Sequence, residues 1–136
     1  IGRGYFGWED FHAVMARMTD LLSEQGARLD GTYASPHHEK GQGEYAVVDH
    51  PERKPNPGML QRAAEKHGLD LSRSWMVGDK AIDIEAGRRA GCRTILVLTG
   101  YGATMSPDQA DFVCADVAEA VTHILAAPPP MSPNEP

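Results

Sequence analysis

Residues 74–91 read SWMVGDKAIDIEAGRRAG, and residues 94–100 follow as TILVLTG. Trp75, Met76 and Val77 form a short apolar run that Gly78 breaks. The stretch AIDIEAGRRAG reads as a helix ending at Gly91, and TILVLTG as a fully apolar strand of the buried, parallel type. Strand, helix, strand in this order predicts a parallel sheet with helices on its faces. In such sheets ligands sit outside the carboxyl ends of the strands. Asp79 lies at one such end, and Asp83 follows four residues later. A plainer role competes with ligand binding there, since either acid could satisfy free amides at a helix start.

Working outward, NPGMLQRAAEKHG (56–68) predicts a helix with Asn56 as N-cap, Pro57 at the first helical position and Gly68 at the exit. Further along, DFVCA (111–115) suggests a weak last strand. Asp116 and Glu119 then make a capping-box-like pair before a final helix carrying Val117, Val121, Ile124 and Leu125. Toward the amino end, Phe11, Val14, Met15, Met18, Leu21 and Leu22 recur at helical spacing, which predicts a helix over about 8–25. GTYAS (31–35) reads as a short strand. Residues 36–53 read as a loop, with YAVV (45–48) as extended structure. From Pro128 the segment PPPMSPNEP has almost nothing to bury and is expected to be a disordered tail after a single domain over 1–127.

The totals fit one domain of 136 residues, 41% hydrophobic and 24% charged. A net charge of −6 argues against nucleic acid or an anionic membrane as partner. No apolar stretch approaches membrane-spanning length. Cys92 and Cys114 have neither metal-type spacing nor a disulfide framework, which fits a cytoplasmic setting. The chain begins at Ile1 and its first methionine is Met15, so it is expected to continue upstream.

The chemistry gathers at the tip after Gly78. Asp79 and Asp83 are candidates to ligate Mg2+, which is typically held by one or two carboxylates with waters and a substrate phosphate. Lys80 adds a cation between them. Arg53 and Lys54 directly precede a helix start, where Pro55 keeps the chain extended. Cations beside the positive end of a helix make a phosphate clamp. One metal carboxylate among several cations is what phosphoryl transfer requires, because charge on the equatorial oxygens must be neutralised. Taken singly, each feature reads as a cap or a solvated surface pair.

Jointly, RKPNPGML (53–60), SWMVGDKAIDIEAGRRAG and TILVLTGYG (94–102) resemble the back half of a haloacid dehalogenase-like (HAD) phosphatase. Within that superfamily they look like the D,D-heptose 1,7-bisphosphate 7-phosphatase and histidinol-phosphatase group, over about residues 2–125. The resemblance implies an α/β, Rossmann-like three-layer parallel sheet with a minimal cap. It implies that Lys54 is catalytic, stabilising the nucleophile and the transferring phosphoryl group. Asp79 is then the Mg2+ ligand, Asp83 supports the site, and Arg53 and Lys80 bind substrate phosphate. It further implies a small phosphorylated sugar as substrate and a monomeric, cytoplasmic enzyme.

The chain also departs from that family. The nucleophile should be the first aspartate of a DxDGT loop, but in ARLDGTY (27–33) that position is Arg28. Asp30 reads instead as a turn residue before a strand. The second motif's Ser or Thr, expected just before GRGYF (2–6), is absent as well. Two central strands are therefore expected to be missing between GTYAS and SWMV. Unpaired buried backbone would cost a few kcal/mol per group against a total stability of about 5–15 kcal/mol. Alone, the chain is expected to be inactive and poorly stable, with its nucleophile upstream.

Many relatives hold zinc through Cys-x-His and Cys-x-Cys pairs; here the first reads Ser35 and His37, and the second region has no cysteine. Zn2+ needs four good ligands, so a zinc-free loop is expected, although His37, His38, Asp49 and His50 could in principle supply them. In the zinc-free reading these histidines line the substrate entrance. Two alternatives stay open: histidinol phosphate as substrate, or a catalytically dead remnant acting as a binding module. A phospho-receiver domain fails for want of a paired acidic cluster before a central strand end.

Overall fold

Thr94 to Val97 are all buried, the only run of four consecutive buried residues among those described, and the sheet is built around them. The computed structural model describes residues 1–128, and the chain divides into two units at the Arg53–Lys54 junction, Ile1–Arg53 and Lys54–Pro136. The disordered tail expected from Pro128 onward falls, Pro128 apart, outside the described residues.

In the second unit three parallel strands pair in the order β1 (Trp75–Gly78), β2 (Arg93–Val97), β3 (Phe112–Cys114). Val77 lies opposite Ile95, and Leu96 opposite Val113. Because side chains alternate along a strand, β2 serves two faces. Ile95 and Val97 pack with Cys114 and with Ala120 of helix α4 (Val117–Ala126), and Trp75, Val77 and Ile124 close over them. Thr94, on the other face, meets helix α3 (Ala81–Ala90) at Gly87, where an added Cβ would lie 2.9 Å from Thr94 Cγ2 and 2.5 Å from Met76 Cβ. Helix, sheet and helix make the three layers expected.

Helix boundaries follow local chemistry. Helix α2 (Gly58–His67) and α3 stop at Gly68 and Gly91, both in the left-handed conformation that glycine adopts without a Cβ penalty. Asn56 is not the N-cap of α2; Pro57 holds that position, and the Asn56 side-chain oxygen instead accepts a hydrogen bond from the Arg89 guanidinium at 3.0 Å. That bond ties the start of α2 to the last turn of α3. At α4 the cap is as read: Asp116 accepts from the Glu119 amide at 2.9 Å. The Glu119 carboxylate reaches back to the Ala115 amide at 2.5 Å, one residue earlier than a capping box predicts. An Asp111 carboxylate oxygen takes both the amide (2.7 Å) and the hydroxyl (2.9 Å) of Thr94, fastening the sheet at that end.

The first unit is built differently. Helix α1 (Trp8–Glu24) covers the expected span, yet buries no residue fully. Phe11, Met15, Met18 and Leu22 are half-buried, while Val14 and Leu21 of the same apolar stripe are exposed. GTYAS is not a strand, because residues 31–35 form no backbone ladder among the described residues. Asp30 therefore precedes no strand; it pairs with Arg28 at 2.9 Å on the surface. YAVV contributes one isolated bridge, His38 to Ala46, after a single 3-10 turn at Gly43–Tyr45.

Candidate active site

The site begins with a close approach. Gly78 ends β1 so near the first turn of α3 that an added Cβ would lie 2.3 Å from the Asp83 Cβ. Glycine is required there by space alone, and its place lets Asp83 tuck under the strand end at 5% exposure. Both carboxylate oxygens of Asp83 are engaged. Oδ2 accepts from the Lys80 amide at 3.1 Å, capping α3, and Oδ1 accepts from Lys54 Nζ at 2.5 Å. One side chain thus both caps α3 and holds the Lys54 ammonium. The lysine is about one-third exposed, so its ammonium is held in place without being sealed from solvent.

Asp79 stands one residue beyond the strand. Its Oδ2 accepts from the Tyr101 amide at 3.0 Å, and its Oδ1 has no partner among the described residues. Tyr101 follows the carboxyl end of β2, so two adjacent strand ends converge here. The Lys80 ammonium lies 4.1 Å from the centroid of the Tyr101 ring, a cation–π contact that fixes the side chain beside Asp79. Tyr101 went unassigned in the sequence, although its place after a parallel strand end is the signal that would have found it.

The structure thus brings Lys54, Asp79, Lys80 and Asp83 to one end of the sheet. Arg53 closes the first unit and lines a cavity there. Asp79 suits Mg2+: it offers one free, hard oxygen already oriented by a backbone amide, and this ion takes most of its remaining ligands from water and substrate. Asp83 does not suit it, since its two oxygens already accept from an ammonium and an amide. Among the described residues no three His, Cys, Asp or Glu side chains gather to hold a metal ion. In the first unit the His37 and His50 rings stack with centroids 3.4 Å apart, and His38 and His50 each accept a backbone amide at Nδ1.

The HAD-hydrolase-like family model matches residues 52–120, more than half of the chain. The chain belongs to this HAD-like hydrolase family. The D-glycero-β-D-manno-heptose-1,7-bisphosphate 7-phosphatase of Mesorhizobium japonicum is 54% identical over 76% of this chain and 48% of its own length. The D-glycero-D-manno-heptose-1,7-bisphosphate 7-phosphatase of Thermosynechococcus vestitus is 43% identical, covering 90% of this chain and 67% of its own. Among solved structures, the D,D-heptose 1,7-bisphosphate phosphatase of B. bronchiseptica, complexed with magnesium and phosphate, superposes with a TM-score of 0.76. It shares 31% identity and covers 90% of this chain and 67% of that one. The chain therefore spans between about half and two thirds of the length of these relatives. Among the described residues no helix is long and apolar enough to cross a membrane.

Proposed function

We propose that the protein containing this chain is a Mg2+-dependent phosphomonoester hydrolase that removes the 7-phosphate of D-glycero-D-manno-heptose 1,7-bisphosphate. The observation that carries the reading is the arrangement at the end of β1: Lys54 held on Asp83 at 2.5 Å, with Asp79 four residues before it presenting a free carboxylate oxygen. Similarity to heptose bisphosphate phosphatases supplies the substrate.

Each residue has a distinct task. Asp83, buried and doubly engaged, is a positioning residue that keeps the Lys54 ammonium from swinging into solvent. Lys54 offsets the negative charge that develops on the phosphoryl oxygens, an effect for which removing one such group typically costs about 10²–10³ in rate. Lys80, steadied on Tyr101, adds a second cation for substrate phosphate. Asp79 would hold the magnesium ion, which when bound neutralises a phosphoryl oxygen. The reading requires a nucleophilic aspartate outside these 136 residues, which takes the phosphoryl group from the sugar oxygen and yields it to water. We assign the enzyme to the cytoplasm, as a monomer.

The test is phosphate release by the protein expressed with its upstream coding sequence. We expect Mg2+-dependent release from the heptose bisphosphate and little from histidinol phosphate, with loss on chelation. Preference for histidinol phosphate would overturn the substrate; no release from either would overturn the activity and favour a binding module.

A further inference from the structure

Lys54 reaches the site on a segment poorly equipped to fasten itself. Lys54-Pro55-Asn56-Pro57 has proline at two of its four positions, and proline has no amide hydrogen to donate. Half of the usual backbone donors are therefore missing, and side chains must hold the register.

Two side-chain bonds do so, and both end on α3. In the first turn of that helix, Asp83 Oδ1 accepts from Lys54 Nζ at 2.5 Å. In its last turn, a terminal guanidinium nitrogen of Arg89 donates to Asn56 Oδ1 at 3.0 Å. Asp83 and Arg89 are six residues apart, about 9 Å along the axis at about 1.5 Å per residue. The segment is thus pinned at two separated points of one rigid element, through the Lys54 ammonium and through a side chain two residues on. Arg89 is itself aimed. Its Nε donates to Glu85 Oε1 at 2.8 Å, one helical turn earlier, which leaves a terminal nitrogen of the planar group for Asn56.

The bond displaces a more ordinary one. Asparagine beside a helix start commonly caps it, yet α2 begins after Pro57 with no side-chain cap hydrogen bond. The Asn56 oxygen faces an arginine 33 residues later instead. Arg88, next to it on α3 and also exposed, makes no side-chain hydrogen bond or ion pair among the described residues. Placement matters because Lys54 acts on charge that develops as the phosphoryl group transfers. A change far from the chemistry that misplaces a group by about 1 Å can lower a rate about 10²-fold.

We propose that Arg89 is a positioning residue for this reaction: from the last turn of α3, through Asn56, it fixes the segment that carries Lys54. The proposal rests on the phosphatase reading for what Lys54 does, and on the two bonds to α3 for where Lys54 stands.

The test is steady-state phosphate release from the heptose bisphosphate by the protein expressed with its upstream coding sequence, joined to NMR of the Asp83 carboxyl carbon without substrate. Arg89→Ala and Asn56→Ala should each lower kcat about tenfold and leave KM within about twofold, as loss of a contribution made in the transition state does. The double variant should fall no further than either alone, because the two side chains act as one unit. Arg89→Lys keeps the charge but loses the planar fork, and should fall about threefold; it carries the test should Arg89→Ala fail to fold. Asn56→Asp, which keeps the accepting oxygen, should retain most of the parent rate, and Arg88→Ala all of it. The Asp83 signal should move in Arg89→Ala and Asn56→Ala but not in Arg88→Ala. Unchanged kcat in the folded Arg89 variants, equal losses in Arg88→Ala, or additive losses in the double variant would overturn the positioning role. A parent that releases no phosphate would overturn the hydrolase reading instead. The Asp83 signal would then decide alone, and its staying unmoved in Arg89→Ala would overturn the placement of Lys54 through Arg89.

Discussion

The two units of this chain are nearly opposite in how they hold themselves together. In the Lys54–Pro136 unit, Ile84, Ala86, Ile95, Leu96, Val97, Cys114 and Ala120 are sealed between two helices and a sheet. In the Ile1–Arg53 unit no hydrophobic residue larger than glycine is fully buried, and α1 leaves Val14 62% exposed and Leu21 45% exposed. Hydrophobic burial, at about 25 cal/mol per Å2 of apolar surface, is the main favourable term in folding. The difference teaches that stability is concentrated behind the Asp79 site, while the first unit relies on turns, a bridge and glycine contacts.

The largest effect should appear in the core. Ile95→Ala is expected to cost about 2–5 kcal/mol in urea unfolding, whereas Val14→Ala on α1 should stay within about 0.5 kcal/mol. Equal losses would break the contrast between the units. Next comes Lys54→Gln in the protein carrying its upstream segment: phosphate release should fall about 10²–10³-fold, with the transition still cooperative. An unchanged rate would remove Lys54 from the chemistry. Gly78→Ala should destabilise the second unit by about 1–3 kcal/mol, because the strand end must move off Asp83, whereas Gly26→Ala in the first unit should cost about 1–2 kcal/mol from its left-handed backbone (φ +76°) alone, since an added Cβ there meets nothing within 4 Å. Thermal unfolding of both variants would sharpen the comparison.

The smallest effect concerns pH. Burial pushes the Cys92 thiol up, and burial with the nearby Glu119 and Asp116 does the same for Cys114. The folded chain then holds these protons more firmly than the unfolded chain. Stability from this source is complete below the ordinary thiol range, near about 8.5, and declines as pH rises through it. Urea midpoints from pH 7 to 10 should fall slightly more for the parent than for Cys92→Ala, both thiol changes belonging to the second unit.

What was legible in the sequence follows the same division. TILVLTG and SWMVGDKAIDIEAGRRAG carried strand, helix and strand because burial on two faces leaves an unbroken apolar signature. Gly68 and Gly91 marked their helix ends because left-handed backbone favours one residue type. GTYAS failed because alternation describes a strand only when another strand supplies its hydrogen bonds, and residues 31–35 have none among those described. Asn56 failed because a distant arginine took the oxygen that a cap would use. At the site, the GDxxxD spacing located Asp79 and Asp83, and the positions of Lys54 and Lys80 came with them. It could not reveal that Asp83 faces a lysine 29 residues earlier in the chain, or that Tyr101 orients Asp79 from the next strand. Those are facts of packing, and spacing alone does not contain them.

Asp83 answers to two masters, the amide that opens a helix and the Lys54 ammonium. Any event that draws Lys54 away would leave that carboxylate bound from one side only and loosen the opening turn of α3. Occupancy by an anion should therefore be audible in the backbone amides of the opening turn of α3, which are natural reporters for inhibitor screening.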